Sequence, residues 1–475
     1  MSLYDKYEMV IGLETHIELK TRSKIFCSCP TEFGAAPNTH VCPVCLGMPG
    51  AMPRFNRAVS DCAVRLGLAL GCKVHPVSAF DRKSYYYPDN PTSYQITQYE
   101  RPICTAGAVP IETEKGISSV PLRRIHMEQD AAKLLHRNGQ TLIDCNRCGI
   151  PLLEIVTEPA LHTPEEAAAF LTALREIALH LGISDCKMQA GSLRCDANIS
   201  LSDGSAPGVP VEIKNLNSVK FLKKALDFEI KRQSECLLRG ECIEKQTRRY
   251  SEGDGTTVFM RKKETVSEYR YCPEWDLGEL CLAPGEIAAQ KALLPRLPHA
   301  ARMHYRTAYG MSEKEAHAMT RYPAVHCFFE ECVRLCAPPG LCCALLMQTL
   351  FPLLPADEAD AKINTEPQEL CTVCAMLQSG ELSRQNAARL CALLFAGEKD
   401  ARALAKAHAL CTITNRAVLR AAADAVFAED PKLLCACRLQ KKGALDRALG
   451  LALRKTDRRG DAAILRSLLQ QLIDE

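Results

Sequence analysis

Alternation of apolar and polar positions dominates the first part of the chain. In "VIGLETHIEL", Ile11, Leu13, Thr15, Ile17 and Leu19 fall on one side of an extended strand, with Glu14, His16 and Glu18 on the other. The pattern returns three times. Arg124, His126, Glu128 and Asp130 alternate with Ile125, Met127 and Gln129; Arg194, Asp196, Asn198 and Ser200 with Cys195, Ala197 and Ile199; Glu212 and Lys214 with Val211 and Ile213. Each predicts a strand with one buried and one polar face. Helical periodicity interrupts this twice, from a capping Thr163 to Gly182 and from Ser218 to Gly240. "SEGDGTTVFM" predicts a hairpin turning at Gly253 to Gly255.

Past Pro295 and Pro298 the strand-like alternation stops, and alanine-rich helical patterns follow with short loops between them. A further break lies at Cys411 to Asn415. The prediction is an α+β protein with a mixed or antiparallel sheet over residues 1–294, an all-α domain over 295–408 and a small helical tail over 409–475. A chain of 475 residues is too long for one core. Its 47% hydrophobic content is ample for burial, and a net charge of +3 neither demands nor excludes nucleic acid. "MSLYDKYEMV" has no basic stretch followed by an apolar run, so no signal peptide is expected there. The most apolar segment, Leu341 to Leu354, is broken by Gln348 and Pro352 and is too short to span a bilayer. The expectation is a cytoplasmic chain with no membrane partner.

The polar faces raise a chemical question. A half-solvated antiparallel sheet shows one polar face per strand in any case. These faces, however, combine carboxylates with His, Arg, Asn and Lys. Hard cations such as Mg²⁺ take carboxylate oxygens together with substrate phosphates, and Arg or Lys binds the phosphates directly. Neither G-x-x-x-x-G-K-[ST] nor G-x-G-x-x-G occurs, so a nucleotide would be held on the sheet by metal and side chains.

Cysteine is abundant, at 26 residues, and free thiols packed as small apolar groups are the default reading. Cys42/Cys45, Cys145/Cys148 and Cys371/Cys374 are each C-x-x-C, but so many cysteines make a lone pair uninformative. "CSCPTEFGAAPNTHVCPVC" is different. Cys27, Cys29, Cys42 and Cys45 form two chelating pairs joined by a loop, a pattern that favours structural Zn²⁺ over unliganded thiols. His40 is a spare candidate ligand.

Eight stretches together resemble one family: "IGLETHIELKTRSKIF", "FDRKSYYYPDNPTSYQITQYE", "RIHMEQDAAK", "PLLEIVTEP", "GSLRCDANIS", "VEIKNLNS", "QTRRYSEGDGTTVFMRKKE" and "YRYCPEWDL". They are similar, in order, to the B subunits of tRNA-dependent Glu/Asp amidotransferases. The resemblance implies a cradle like the catalytic sheet of glutamine synthetase. It also implies an ATP- and Mg²⁺-dependent ligase that phosphorylates the side-chain carboxylate of Glu or Asp misacylated onto tRNA, after which ammonia displaces the phosphate. Glu14, His16 and Glu128 are carried over as catalytic and Mg²⁺ residues, with Glu154, Glu158, Arg194 and Asp196 as further metal or phosphate contacts. The implied partners are an amidase (glutaminase) subunit, the small third subunit of the same complex and the misacylated tRNA.

The chain departs from the family at Gln129, where Glu is usual, at Ala132 for Gly, at "YCPEWD", and in the tail, which lacks a Gly-Gln pair. The tail is nevertheless basic, with eight Lys/Arg and two Asp between Arg438 and Arg459. That is a solvated helix face or a grip on the tRNA backbone. No Gly/Ser-rich Ser-Lys apparatus of an amidase is present, and Cys195 reads as a buried strand residue, not a nucleophile. Two other functions use the same residues: a metal-dependent phosphoesterase or nuclease acting on RNA, and a non-catalytic tRNA-binding scaffold.

Overall fold

The computed structural model describes residues 6–204, 206–262 and 266–475. Met1 to Asp5, at the start of the segment read for a signal, and Lys263 and Glu264, at the end of the hairpin motif, lie outside the described residues. The chain forms two compact units, Met1–Ala300 and Ala301–Glu475.

The first unit is built on a sheet of ten strands among the described residues. In chain order those used below are β1 (Glu8–Glu18), β2 (Gly116–Gln129), β3 (Pro151–Thr157), β4 (Leu193–Ser202), β5 (Val211–Lys214), β6 (Gln246–Ser251) and β7 (Thr256–Lys262). They lie side by side as β7–β6–β5–β4–β1–β3–β2. Neighbours are antiparallel except β5 and β6, which run parallel, so the sheet is mixed as predicted. β6 and β7 meet around Gly255, whose φ of +67° suits a residue without Cβ.

Burial follows the predicted alternation. Ile11, Leu13 and Ile17 on β1 and Cys195, Ala197 and Ile199 on β4 are fully or almost fully buried. Each fully buried large aliphatic side chain contributes on the order of 2 kcal/mol. Two helices pack on the sheet: α1 (Pro164–His180) and α2 (Val219–Leu238). Thr163 caps α1 by accepting from the Glu166 amide at 3.1 Å, and Ser218 caps α2 by accepting from Phe221 at 3.1 Å. With the apolar face packed against helices, the polar face is left to line a cleft.

The second unit is helical in its regular elements. Tyr305, Phe329, Leu346 and Leu390 belong to one apolar cluster, which ends at Leu410. A second cluster begins at Leu419 and includes Val426, Leu465 and Leu469. Between them the Ile413 amide donates to the Arg459 carbonyl at 2.7 Å. No helix among the described residues is long and apolar enough to cross a membrane.

Candidate active site

Register on the polar face decides which side chains meet. Arg194, His16, Glu154 and His126 stand in one row across β4, β1, β3 and β2. Asp196, Glu14, Val156 and Arg124 form the next row. Glu18, Leu152 and Glu128 form the row on the other side. Strands distant in sequence thus put imidazoles and carboxylates side by side, lining a cleft of about 680 Å³.

At its floor the His16 Nε2 lies 3.1 Å from Glu128 Oε1 and 3.3 Å from Glu154 Oε2. His126 Nε2 approaches Glu154 at 3.2 Å, while its buried Nδ1 has no hydrogen-bond partner. Burial disfavours an imidazolium at His16, but hydrogen bonds and charges from Glu128 and Glu154 outweigh it and raise its pKa to about 10. Burial works to protonate Glu128 and Glu154 as well, and the two imidazoles overcome it, holding both well below the usual carboxylate range. His16, Glu128 and Glu154 can each offer one ligand atom, all within 4.8 Å of one another. One nitrogen and two carboxylate oxygens suit a hard divalent cation with sites left over for water or phosphate.

Glu14 stands apart from these three. It accepts from Asn198 Nδ2 at 3.1 Å, beside Asp196, whose Oδ2 receives Lys214 Nζ at 2.6 Å. Lys214 also lies 3.6 Å from Glu212. Arg194 lines the cleft bound to Asp130, with Glu18 at 3.6 Å. Burial and Asp130 push the Glu18 carboxyl up to about 8. Glu158 does not line the cleft; it pairs with Arg123 at 2.9 Å. Gln129 points to the other side of the sheet, into a small cavity shared with Cys27, Cys45 and Thr92. Its exchange for the family's Glu therefore leaves the carboxylate floor intact.

Strand periodicity missed Lys83, Tyr99 and Tyr271, all of which line the cleft. Lys83 sits in a strand of four residues, Asp81–Ser84, too short for alternation to register, and its ammonium lies 4.9 Å from the Tyr269 ring centroid. The usable signals were the motifs "FDRKSYYYPDNPTSYQITQYE", which holds Lys83 and Tyr99, and "YRYCPEWDL", which holds Tyr271.

Behind the sheet, Cys27, Cys29, Cys42 and Cys45 bring four sulfurs within 4.8 Å of one another, without His40. The Cys45 thiol, hydrogen-bonded to Cys27, is lowered to about 5, while its partner Cys27 is pushed up. Under the loop the buried Lys24 ammonium donates to the carbonyls of His40 at 2.7 Å and Cys145 at 3.3 Å. Cys145 and Cys148 pack beside Cys45 with Ala132, and Cys374 is buried in the first helical cluster. Cys195 is buried against Thr15, and burial raises its pKa.

Residues 9–288 match the model of the GatB/GatE catalytic domain, and residues 327–473 that of the GatB domain. The chain belongs to the GatB family. Proteins named as the B subunits of aspartyl/glutamyl-tRNA(Asn/Gln) amidotransferases are similar to it over nearly their whole length. Those from Clostridium botulinum (strain Eklund 17B / Type B), Thermoanaerobacter pseudethanolicus and Thermomicrobium roseum are 38%, 41% and 40% identical. The alignments cover 99%, 98% and 99% of this chain and 100%, 99% and 99% of the relatives. Neither the phosphoesterase nor the scaffold reading has a counterpart among these three.

Proposed function

We propose that this GatB-family chain is the carboxylate kinase and transamidase of a glutamine-dependent ligase, amidating Glu-tRNA(Gln), Asp-tRNA(Asn) or both for protein synthesis. The row of His16, Glu154 and His126 with adjacent Glu128 carries the reading, because it concentrates cation ligands at the base of a cleft that Lys83, Arg124 and Arg194 also line. Making an acyl phosphate is mainly positioning and charge neutralisation, which suits a site without an obvious protein nucleophile.

In this reading His16, Glu128 and Glu154 would hold Mg²⁺, whose contribution when bound would be to neutralise phosphate charge. Glu14 and Asp196 stand side by side in the neighbouring row, and Asp196 with Glu212 orients Lys214. A side-chain carboxylate of the tRNA-borne amino acid attacks the γ-phosphorus of ATP, and ADP leaves. Ammonia then attacks the acyl carbon, phosphate leaves and the amide remains. Ammonia comes from the amidase (glutaminase) subunit, and the small third subunit completes the complex. Cys27, Cys29, Cys42 and Cys45 would hold one structural Zn²⁺, for which four thiolates supply a full set of soft ligands.

Residues from about 409 onward form a separate tRNA-binding tail in this reading. A cleft of about 460 Å³ there is lined by Arg438, Lys441, Lys442 and Arg466 among others, together with Asp446 and Asp474. Binding through those cations weakens steeply with salt.

The test supplies ATP, Mg²⁺ and glutamyl-tRNA to the assembled complex, withholds glutamine and ammonia, and measures ADP. Release that requires the charged tRNA and is lost in Glu14→Ala supports the reading. Release indifferent to the charged tRNA or to Glu14 would remove the chemistry from this face.

A further inference from the structure

Cations on the cleft wall differ in how far they are already engaged. Arg123 pairs with Glu158, Arg194 with Asp130 and Lys214 with Asp196. Lys83 rests near the Tyr269 ring. Arg124 differs from the three paired cations: among the described residues it has no salt bridge to a carboxylate. Its Nη1 makes one long hydrogen bond, 3.4 Å, to the Tyr99 carbonyl. Its Nε is buried and donates to nothing among the described residues.

This side chain is nevertheless well held. The guanidinium lies 5.7 Å from the centroid of the Tyr99 ring, and that ring stacks on Tyr271 at 4.1 Å with 13° between planes. An aromatic face fixes a guanidinium without consuming its N–H donors. A buried donor left unmade is costly, so a preorganised guanidinium with spare donors in a polar cleft is suited to receive a ligand. On β2, Arg124 is two residues from His126 and shares its face, a spacing of about 7 Å. It therefore stands one step along the strand from the carboxylate–imidazole floor.

We propose that Arg124 is an oxyanion-binding residue, clamped on the Tyr99–Tyr271 stack and receiving a phosphoryl or carboxylate oxygen of a ligand that lies over the His16–Glu154 row. The identity of that ligand rests on the amidation reading. The oxygen belongs either to the nucleotide's phosphates or to the side-chain carboxylate borne by the tRNA. A guanidinium suits both because it offers parallel donors to two oxygens.

The test uses the chain assembled with its partner subunits, as wild type, Arg124→Ala and Arg124→Lys, with the melting temperature as a check on folding. ATP binding is measured by calorimetry with Mg²⁺ and no tRNA, and KM for glutamyl-tRNA is measured at saturating ATP. If the phosphates are held, Arg124→Ala weakens ATP binding at least tenfold, Arg124→Lys recovers part of it, and KM for the charged tRNA stays within threefold. If the carboxylate is held, ATP binding stays within threefold and that KM rises at least tenfold, with inhibition by uncharged tRNA unchanged. Values within threefold of wild type in both assays, with the fold intact, overturn the proposal. Should Arg124→Ala not fold, Arg124→Lys carries the test, with a fivefold loss in one assay required. A wild type without tRNA-dependent ADP release refutes the amidation reading, and binding of ATP or inorganic phosphate then decides on Arg124. A wild type that binds neither overturns the subsite as well.

Discussion

Two groups of candidate cation ligands, one on each side of the sheet, are assembled in opposite ways. The cysteine quartet comes from a single loop, Cys27 to Cys45, and offers four sulfurs to a closed site. The floor of the cleft offers one imidazole and two carboxylates from three strands, and the cleft leaves it open on one side. A closed soft site holds a metal for structure, while an open hard site leaves room for a reacting ligand. In the proposed reading, geometry thus separates fixing the scaffold from doing chemistry.

That contrast breaks first if the floor can be altered without loss. Glu154→Gln or Glu128→Gln should lower ADP release on charged tRNA by about a hundredfold or more, the scale of losing a preorganised electrostatic contact. The melting temperature should change far less. A variant with normal turnover would mean the open site is not the reacting one.

The double change Cys42→Ser with Cys45→Ser should act in the other direction. Metal analysis should show the loss of about one zinc per chain, and the melting temperature should fall by several degrees. If turnover fell while stability did not, the quartet would be part of the chemistry.

A subtler difference concerns protons. Its pKa of about 10, against an ordinary 6.5, makes the His16 imidazolium a stabilising element of the metal-free fold. That contribution is full below about pH 6.5 and disappears as pH rises through 10. Thermal melts in chelator should fall over this window, and Glu154→Gln should flatten the slope. An unchanged slope in that variant would show that the pair does not hold the proton.

The smallest effect is expected at Gln129. Because its side chain lines the cavity behind the sheet, Gln129→Glu should leave ADP release within about twofold. A large gain would place position 129 in the cleft and overturn the assigned strand face.

The two groups also differ in how readable they are. Cys27 to Cys45 is local, so spacing alone suggested a ligand set. His16, Glu128 and Glu154 are joined by register, which a sequence does not display; alternation marked His16 and Glu128 as polar-face residues but could not say that Glu154, and not Glu14, completes the trio. The helices from Thr163 and Ser218 were readable because cap, period and terminal glycine agree. Lys83 escaped because four residues hold too little pattern, and Arg124 was visible only as one polar position among many. Its meaning came from what it does not touch.

The position of β1 in the middle of the sheet has a consequence for how the protein is made. It is the first of the sheet strands to leave the ribosome, yet its neighbours are late: Leu13 bonds Thr157 across 144 residues and Thr15 bonds Cys195 across 180. At roughly 5–20 residues per second, synthesis leaves this strand, with its apolar face uncovered, without either neighbour for roughly 7–30 s. An unpaired strand edge of that kind is a template for wrong pairing. The nascent chain therefore carries an exposed aggregation-prone strand early in its life, a surface that a holdase chaperone would cover.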